Sequence, residues 1–197
     1  MRLWLGIVAG VLLFAGIFTL AGFVPGYSQV QQTVSELGEV GSPTRVEFAL
    51  LLCVVAACLI LFADAAANVH RAVKVSVVPI LLIVAMAISA AGVGVFAYPN
   101  PLHNLFGMSE LVGYQAPLAI AITFWKKSSR GSIVVFSLVM YCVVLLALGA
   151  NLTTLHRQGD IWQLVRPYYG VLQRSLFAAW FAWCAGYAVF LMKINRT

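Results

Sequence analysis

Glu110 is an acid inside an otherwise apolar run. The run, Leu102–Trp125, ends at the basic pair Lys126-Lys127. A helix needs about 20 residues to cross roughly 30 Å of hydrocarbon, which sets the other boundary near Phe106. At about 1.5 Å per residue, Glu110 then lies on the order of 6 Å inside it. A carboxyl group there needs a partner, a watered cavity or a shift in its protonation. His103, Glu110 and Tyr114 are seven and four residues apart and so share one helix stripe, with Gly107 between them leaving room for a ligand or another helix. An imidazole and a carboxyl on one stripe offer an acid and a base near neutral pH. Pro117, one turn further along, removes a backbone donor and is expected to kink the span.

Two other tracts bring polar groups to the same end. In the long segment GYSQVQQTVSELGEVGSPTRVEF, Thr33-x-x-Glu36 reads as a capping box, and Ser42-Pro43 as a cap followed by proline at the first helical position. Ser35 is a candidate nucleophile on condition that His103 folds within hydrogen-bond reach of it. The last apolar run extends from Ser175 to Met192, which puts Gln173 and Arg174 at its edge. Arg166, Tyr169 and Gln173 make one helix face, and Arg174 points about 100° away from it. An arginine at a helix start suits a phosphate head group. The candidate ligand-binding set is Glu36, His103, Glu110, Tyr114, Gln173 and Arg174, with Glu36, His103, Glu110 and Ser35 as catalytic candidates. The alternative use of Glu110, His103 and Arg174 is an ion-pair network that ties the loop to the bundle.

The elements that must hold these groups follow from composition. Of 197 residues, 62% are hydrophobic and 9% charged, whereas soluble domains carry roughly 45–50% apolar and about 25% charged residues. A soluble enzyme is excluded, and so, despite a net charge of +6, is an ordinary nucleic-acid binder. The expected fold is an all-α integral membrane protein, a single bundle of six transmembrane helices forming one domain over residues 1–197. The spans are expected at about 3–24, 43–69, 73–98, 102–125, 131–152 and 168–194. Runs such as Ile133–Leu148 do not alternate, which argues against a β-barrel. Small residues at packing spacing, including Gly6 and Gly10, Ser89 and Gly92, and Ala182 and Gly186, suit either packing within the bundle or a homo-oligomer.

Arg2, Arg71, Lys74, Lys126, Lys127, Arg130, Lys193 and Arg196 fall on one side of this arrangement, against Arg45, Arg157, Arg166 and Arg174 on the other. The excess puts both termini in the cytoplasm and the longer loops outside. A cleaved signal peptide is the other reading of Leu3–Val24, but that run is longer than a usual signal core. The four cysteines all lie inside spans and read as free thiols. The sequon at Asn151 sits at a helix end close to the bilayer. Asp64, Asn68 and Arg71 read as a local salt-bridge cluster. No metal or cofactor site is expected, because His103 and His156 share the outer side with no converging ligands and His70 is on the other. The expected partner is membrane lipid. A transporter reading of Glu110 lacks a polar path through the inner halves of the spans, and a scaffold without chemistry is the remaining alternative.

The tracts Tyr27-Ser28-Gln29 and Val34-Ser35-Glu36-Leu37-Gly38, His103 entering the fourth span, and Gly170-x-x-Gln173-Arg174 opening the sixth resemble the family catalogued as domain of unknown function 998. The resemblance covers nearly the whole chain and implies a six-span membrane protein. A looser likeness, through the Ser-x-x-Gly pattern of the first outer loop and the histidine before the fourth span, runs to the Frag/DRAM/Sfk group, some of whose members are linked to lipid remodelling.

Overall fold

Apolar runs this long satisfy their backbone only as helices when water is absent, and the computed structural model, which describes residues 2–127 and 131–195, is helical with no strand among those residues. Six helices are long and apolar enough to cross a membrane: Arg2–Ala21, Arg45–Ala72, Val78–Val95, Pro101–Phe124, Gly131–His156 and Asp160–Ile194. The protein is an all-α integral membrane protein. Its elements are α1 (Leu5–Ala21), α2 (Arg45–Ala72), α3 (Val78–Val95), α4 (Pro101–Gly113), α5 (Ala116–Phe124), α6 (Gly131–Leu152), α7 (Asp160–Val165) and α8 (Tyr169–Ile194). A 3-10 turn, Val34–Gly38, interrupts the loop between α1 and α2.

Each long helix packs on its neighbour in the chain, and α8 returns to α1, so the bundle is a closed ring. The small-residue stripes are used inside it: Gly6 faces Phe62 and Ala188, Gly10 faces Phe181, and Gly186 faces Phe136. Two helix ends differ from expectation. The third span is shorter than 73–98 because Lys74, at φ 54, turns the chain so that Val75 N–H caps the His70 carbonyl. The second starts at Arg45, two residues past Pro43; the Ser42 and Thr44 hydroxyls both donate to the Leu37 carbonyl, at 2.8 and 2.7 Å, and among the described residues no side chain accepts from the first N–H groups of α2.

The half of the bundle that holds both chain ends is filled by aromatic side chains. Phe62, Phe124, Trp183 and Tyr187 are fully buried there. His70 donates from Nδ1 to the Ser76 carbonyl and accepts at Nε2 from the Tyr187 hydroxyl, pinning α2 to α8. The expected Asp64–Arg71 salt bridge is absent: Arg71 bonds Asn68 at 2.9 Å, and Asp64 instead meets Arg2 at 4.0 Å on the surface, where the wetter geometry contributes little. Arg130 and Arg196, two of the charges used for orientation, lie outside the described residues.

The fourth span breaks at Tyr114-Gln115, where α4 gives way to α5. Pro117 has no N–H to offer the Gly113 carbonyl four residues back. That carbonyl is taken instead by the Trp180 indole of α8, at 3.0 Å. The Leu111 carbonyl accepts from the Gln115 side chain, whose oxygen in turn accepts from the Tyr141 hydroxyl of α6. The two halves then diverge. α4 stays on α3, where the Ser89 and Ser109 hydroxyls meet at 2.6 Å, while α5 packs on α6.

Trp180→Phe, which strands the Gly113 carbonyl, is expected to cost about 1–3 kcal/mol in thermal or denaturant unfolding in detergent. Adding Pro117→Ala, which restores the missing donor, should recover part of that loss. Additive losses in the double variant would show that the indole does not replace the proline's missing bond.

Candidate functional site

Because α4 follows α3 and makes no extended contact with α6 or α8, the bundle is hollow beside it. A cavity of about 250 Å³ occupies this half, walled by Leu52, Val55 and Leu59 of α2, Met86 and Val93 of α3, Leu148 and Leu152 of α6, and Leu176, Phe177 and Trp180 of α8. His103, Gly107, Glu110 and Tyr114 line it together, as one stripe of α4. The Glu110 carboxylate accepts from the Tyr114 hydroxyl at 3.0 Å. Among the described residues no basic group lies within ion-pair distance of it. A carboxylate has about four acceptor positions, so Glu110 faces the cavity with most of its capacity open. The expected ion-pair network of Glu110, His103 and Arg174 does not form, because Arg174 points out of the cavity into the first loop.

His103 Nδ1 lies 2.8 Å from the Phe96 carbonyl, which makes it the donor and leaves the Nε2 lone pair without a protein partner among the described residues. Ser35 lines the cavity too, but its hydroxyl pairs with Thr33 at 3.2 Å and makes no hydrogen bond to His103. The condition for a Ser35 nucleophile is therefore not met in this arrangement.

Glu36 is occupied by its own turn. Its Oε1 accepts from the Thr33 amide and hydroxyl at 2.8 and 2.9 Å, and Oε2 accepts from the Gln32 amide at 2.7 Å. Gln173 reaches across from α8, where its oxygen accepts from the Val34 N–H at 2.7 Å. Arg174 closes the roof. Its Nη1 donates to the carbonyls of Gln29, Gln32 and Gly170 at 2.9 to 3.0 Å, and Nη2 donates to the Tyr27 hydroxyl at 2.6 Å. A guanidinium spent on three carbonyls and a phenol is a clamp for the first loop. Its Nη atoms are thus taken up by the loop, while the buried Nε has no hydrogen-bond partner among the described residues.

The loop lies so close to α8 that a Cβ on Gly170 would come within 2.4 and 2.5 Å of the Gln32 and Gln29 carbonyl oxygens. The Gly170-x-x-Gln173-Arg174 spacing is thus the footprint of the roof: space at Gly170, an acceptor at Gln173 and donors at Arg174. Sequence reasoning missed Tyr27, Gln115, Trp180 and Asn151. Asn151 is buried, with its amide donating to the Ala147 and Leu172 carbonyls, so the sequon is spent on joining α6 to α8. Pro117 was the signal that could have found Trp180, since a proline in a span implies an orphaned carbonyl and hence a donor on a neighbour.

Burial pushes the Tyr27 phenol above its ordinary value of 10.0, with Arg174 pulling the other way. The neutral phenol donates to the Thr33 carbonyl at 2.7 Å. With the folded value raised, this contribution is complete below about pH 10 and is lost as pH rises beyond it. Arg174→Gln is expected to lower stability by on the order of 3 kcal/mol and open residues 25–44 to proteolysis. Gly170→Ala should open the same loop without a change of charge. Tyr27→Phe should be less stable than the parent protein at neutral pH, and its stability should fall less steeply as pH rises above about 10. Loop cleavage unchanged in both Arg174→Gln and Gly170→Ala would refute the clamp.

A stripe of cavity-lining polar groups under a clamped loop therefore gathers five of the residues singled out by sequence, namely Ser35, His103, Glu110, Tyr114 and Gln173, while Glu36 and Arg174 build the roof. No curated protein and no solved structure matches the chain. The model of the family described as a protein of unknown function, DUF998, matches residues 7–193, and the chain belongs to that family.

Proposed function

We propose that this protein sits in a prokaryotic plasma membrane with its termini in the cytoplasm and its roofed end outside, where it binds or modifies a lipid or other amphiphile. The observation that carries this reading is the cavity: about 250 Å³ of mostly apolar space inside a membrane helix bundle, with an unpaired carboxyl on its wall. Apolar cavities of about 150 Å³ admit benzene, and ligand sites run from about 300 Å³ upward, so the space suits a single chain rather than a whole two-chain lipid. Glu110, Tyr114 and the His103 Nε2 supply the few polar contacts that orient an occupant. Binding fits better than passage, because the other half of the ring is packed with Phe62, Phe124, Trp183 and Tyr187. The excess of basic residues at the end bearing the termini supports the orientation, and the likeness of the first loop to the Frag/DRAM/Sfk group runs in the same direction.

Gly107 gives a clean test, because it lines the cavity and a Cβ built there meets no atom within 4 Å. Gly107→Leu is expected to keep or raise the melting temperature, since glycine is a poor helix former, and to reduce at least about tenfold the binding of a photoreactive single-chain lipid probe, read by native mass spectrometry. Glu110→Gln should leave the fold intact and weaken the same probe. Full probe binding in Gly107→Leu would remove the cavity from consideration.

A further inference from the structure

The roofed end carries charge that the protein does not neutralise for itself. A groove of about 490 Å³ runs over it, lined on one side by Glu36 and Glu39 of the first loop and on the other by Arg157 and Arg166 of the segment between α6 and α8. Among the described residues no ion pair joins the two walls. Glu36 is held by Thr33 and Gln32. The side chains of Glu39, Arg157 and Arg166 make no hydrogen bond to another described residue. Opposite charges that share a groove without meeting leave room for something between them.

The groove and the cavity adjoin. Ser35, His103, Thr154, Tyr169 and Gln173 line both, so a molecule whose chain lies in the cavity presents its head to the groove. A simple anion there would face two carboxylates, and a simple cation would face two guanidiniums. A head group bearing both charges meets each wall with its complement. Guanidinium geometry suits phosphate oxygens. On the acidic wall, half-exposed Tyr98, whose carbonyl holds the Val40 N–H beside Glu39, adds an aromatic face for a cationic nitrogen.

We propose that the amphiphile is zwitterionic, with a phosphate and a cationic nitrogen in one head group, the phosphate toward Arg157 and Arg166 and the nitrogen toward Glu39 and Tyr98. This rests on the reading of the cavity as an amphiphile site. The test uses the full chain in neutral maltoside micelles and four probes of one chain length: an alkyl phosphocholine, an alkyl phosphate, an alkyl trimethylammonium and an alkyl glucoside. The phosphocholine is expected to bind at least about tenfold more tightly than each of the others. Arg157→Gln with Arg166→Gln should erase its advantage over the trimethylammonium probe, and Glu39→Gln should erase its advantage over the alkyl phosphate. Phosphocholine without a chain should bind at least about tenfold more weakly than the alkyl form. Equal binding of all four probes, or preference for the alkyl phosphate, overturns the zwitterion and leaves the cavity reading standing. No binding by any of the four, or chain-free phosphocholine binding as tightly as the alkyl form, overturns the amphiphile reading itself.

Discussion

A carbonyl buried in hydrocarbon has to be bonded to something, and the Gly113 carbonyl is bonded across the bundle. Pro117 cannot supply the usual donor, and no water is at hand to replace it. The Trp180 indole meets the need from α8. Once that bond is made, the fourth span has two directions: its first half lies on α3 and its second half on α6. The space beside α4 is the geometric remainder of that divergence. The break that costs the span its continuity is thus the same feature that gives the bundle an interior, and the indole that repairs the break also forms part of the cavity wall.

The roof depends on a different economy of hydrogen bonds. The stretch between α1 and α2 has little regular structure, so its carbonyls need outside partners. Arg174 satisfies the Gln29 and Gln32 carbonyls at once, Gln173 accepts from the Val34 amide, and Glu36 closes its own turn. Side chains that look like chemistry in the sequence are therefore divided between two tasks. Those on α4 face an empty space, and those at the start of α8 largely serve the loop that covers it.

The six spans were legible because length and hydropathy alone force them. The stripe of His103, Glu110 and Tyr114 was legible because helical spacing puts the three on one face whatever the neighbours are. The clamp made by Arg174 was not legible, for a physical reason. Charge and position at a helix start suggest an anion site, but whether the donors are free depends on which loop docks there, and a loop some 140 residues earlier in the chain leaves no local trace. Trp180 was missed because an apolar-looking aromatic in an apolar helix hides a donor, and only the proline three helices away reveals that one is required. The hollow itself was illegible, since hydropathy gives the length of a helix and not its lean. The Ser35–His103 pair failed for a similar reason: the Phe96 carbonyl, presented by the turn before α4, is nearer to the imidazole than any hydroxyl of the first loop.

The closed ring also has a consequence for the order in which the protein can be built. Each long helix after the first packs on the long helix just before it, and α8 alone also closes on α1, so α1 to α6 can assemble as successive hairpins while the chain is still emerging. The first loop is the exception. Its clamp, Arg174, and the helix that seals the ring against α1 arrive together and last. Until then the loop lacks its bonds to Gln173 and Arg174, the Gly113 carbonyl has no indole, and α1 has a bare face. One helix completes all three at once, so a chain that stops short of α8 is not a nearly finished bundle but one lacking its roof, its kink repair and its closure together.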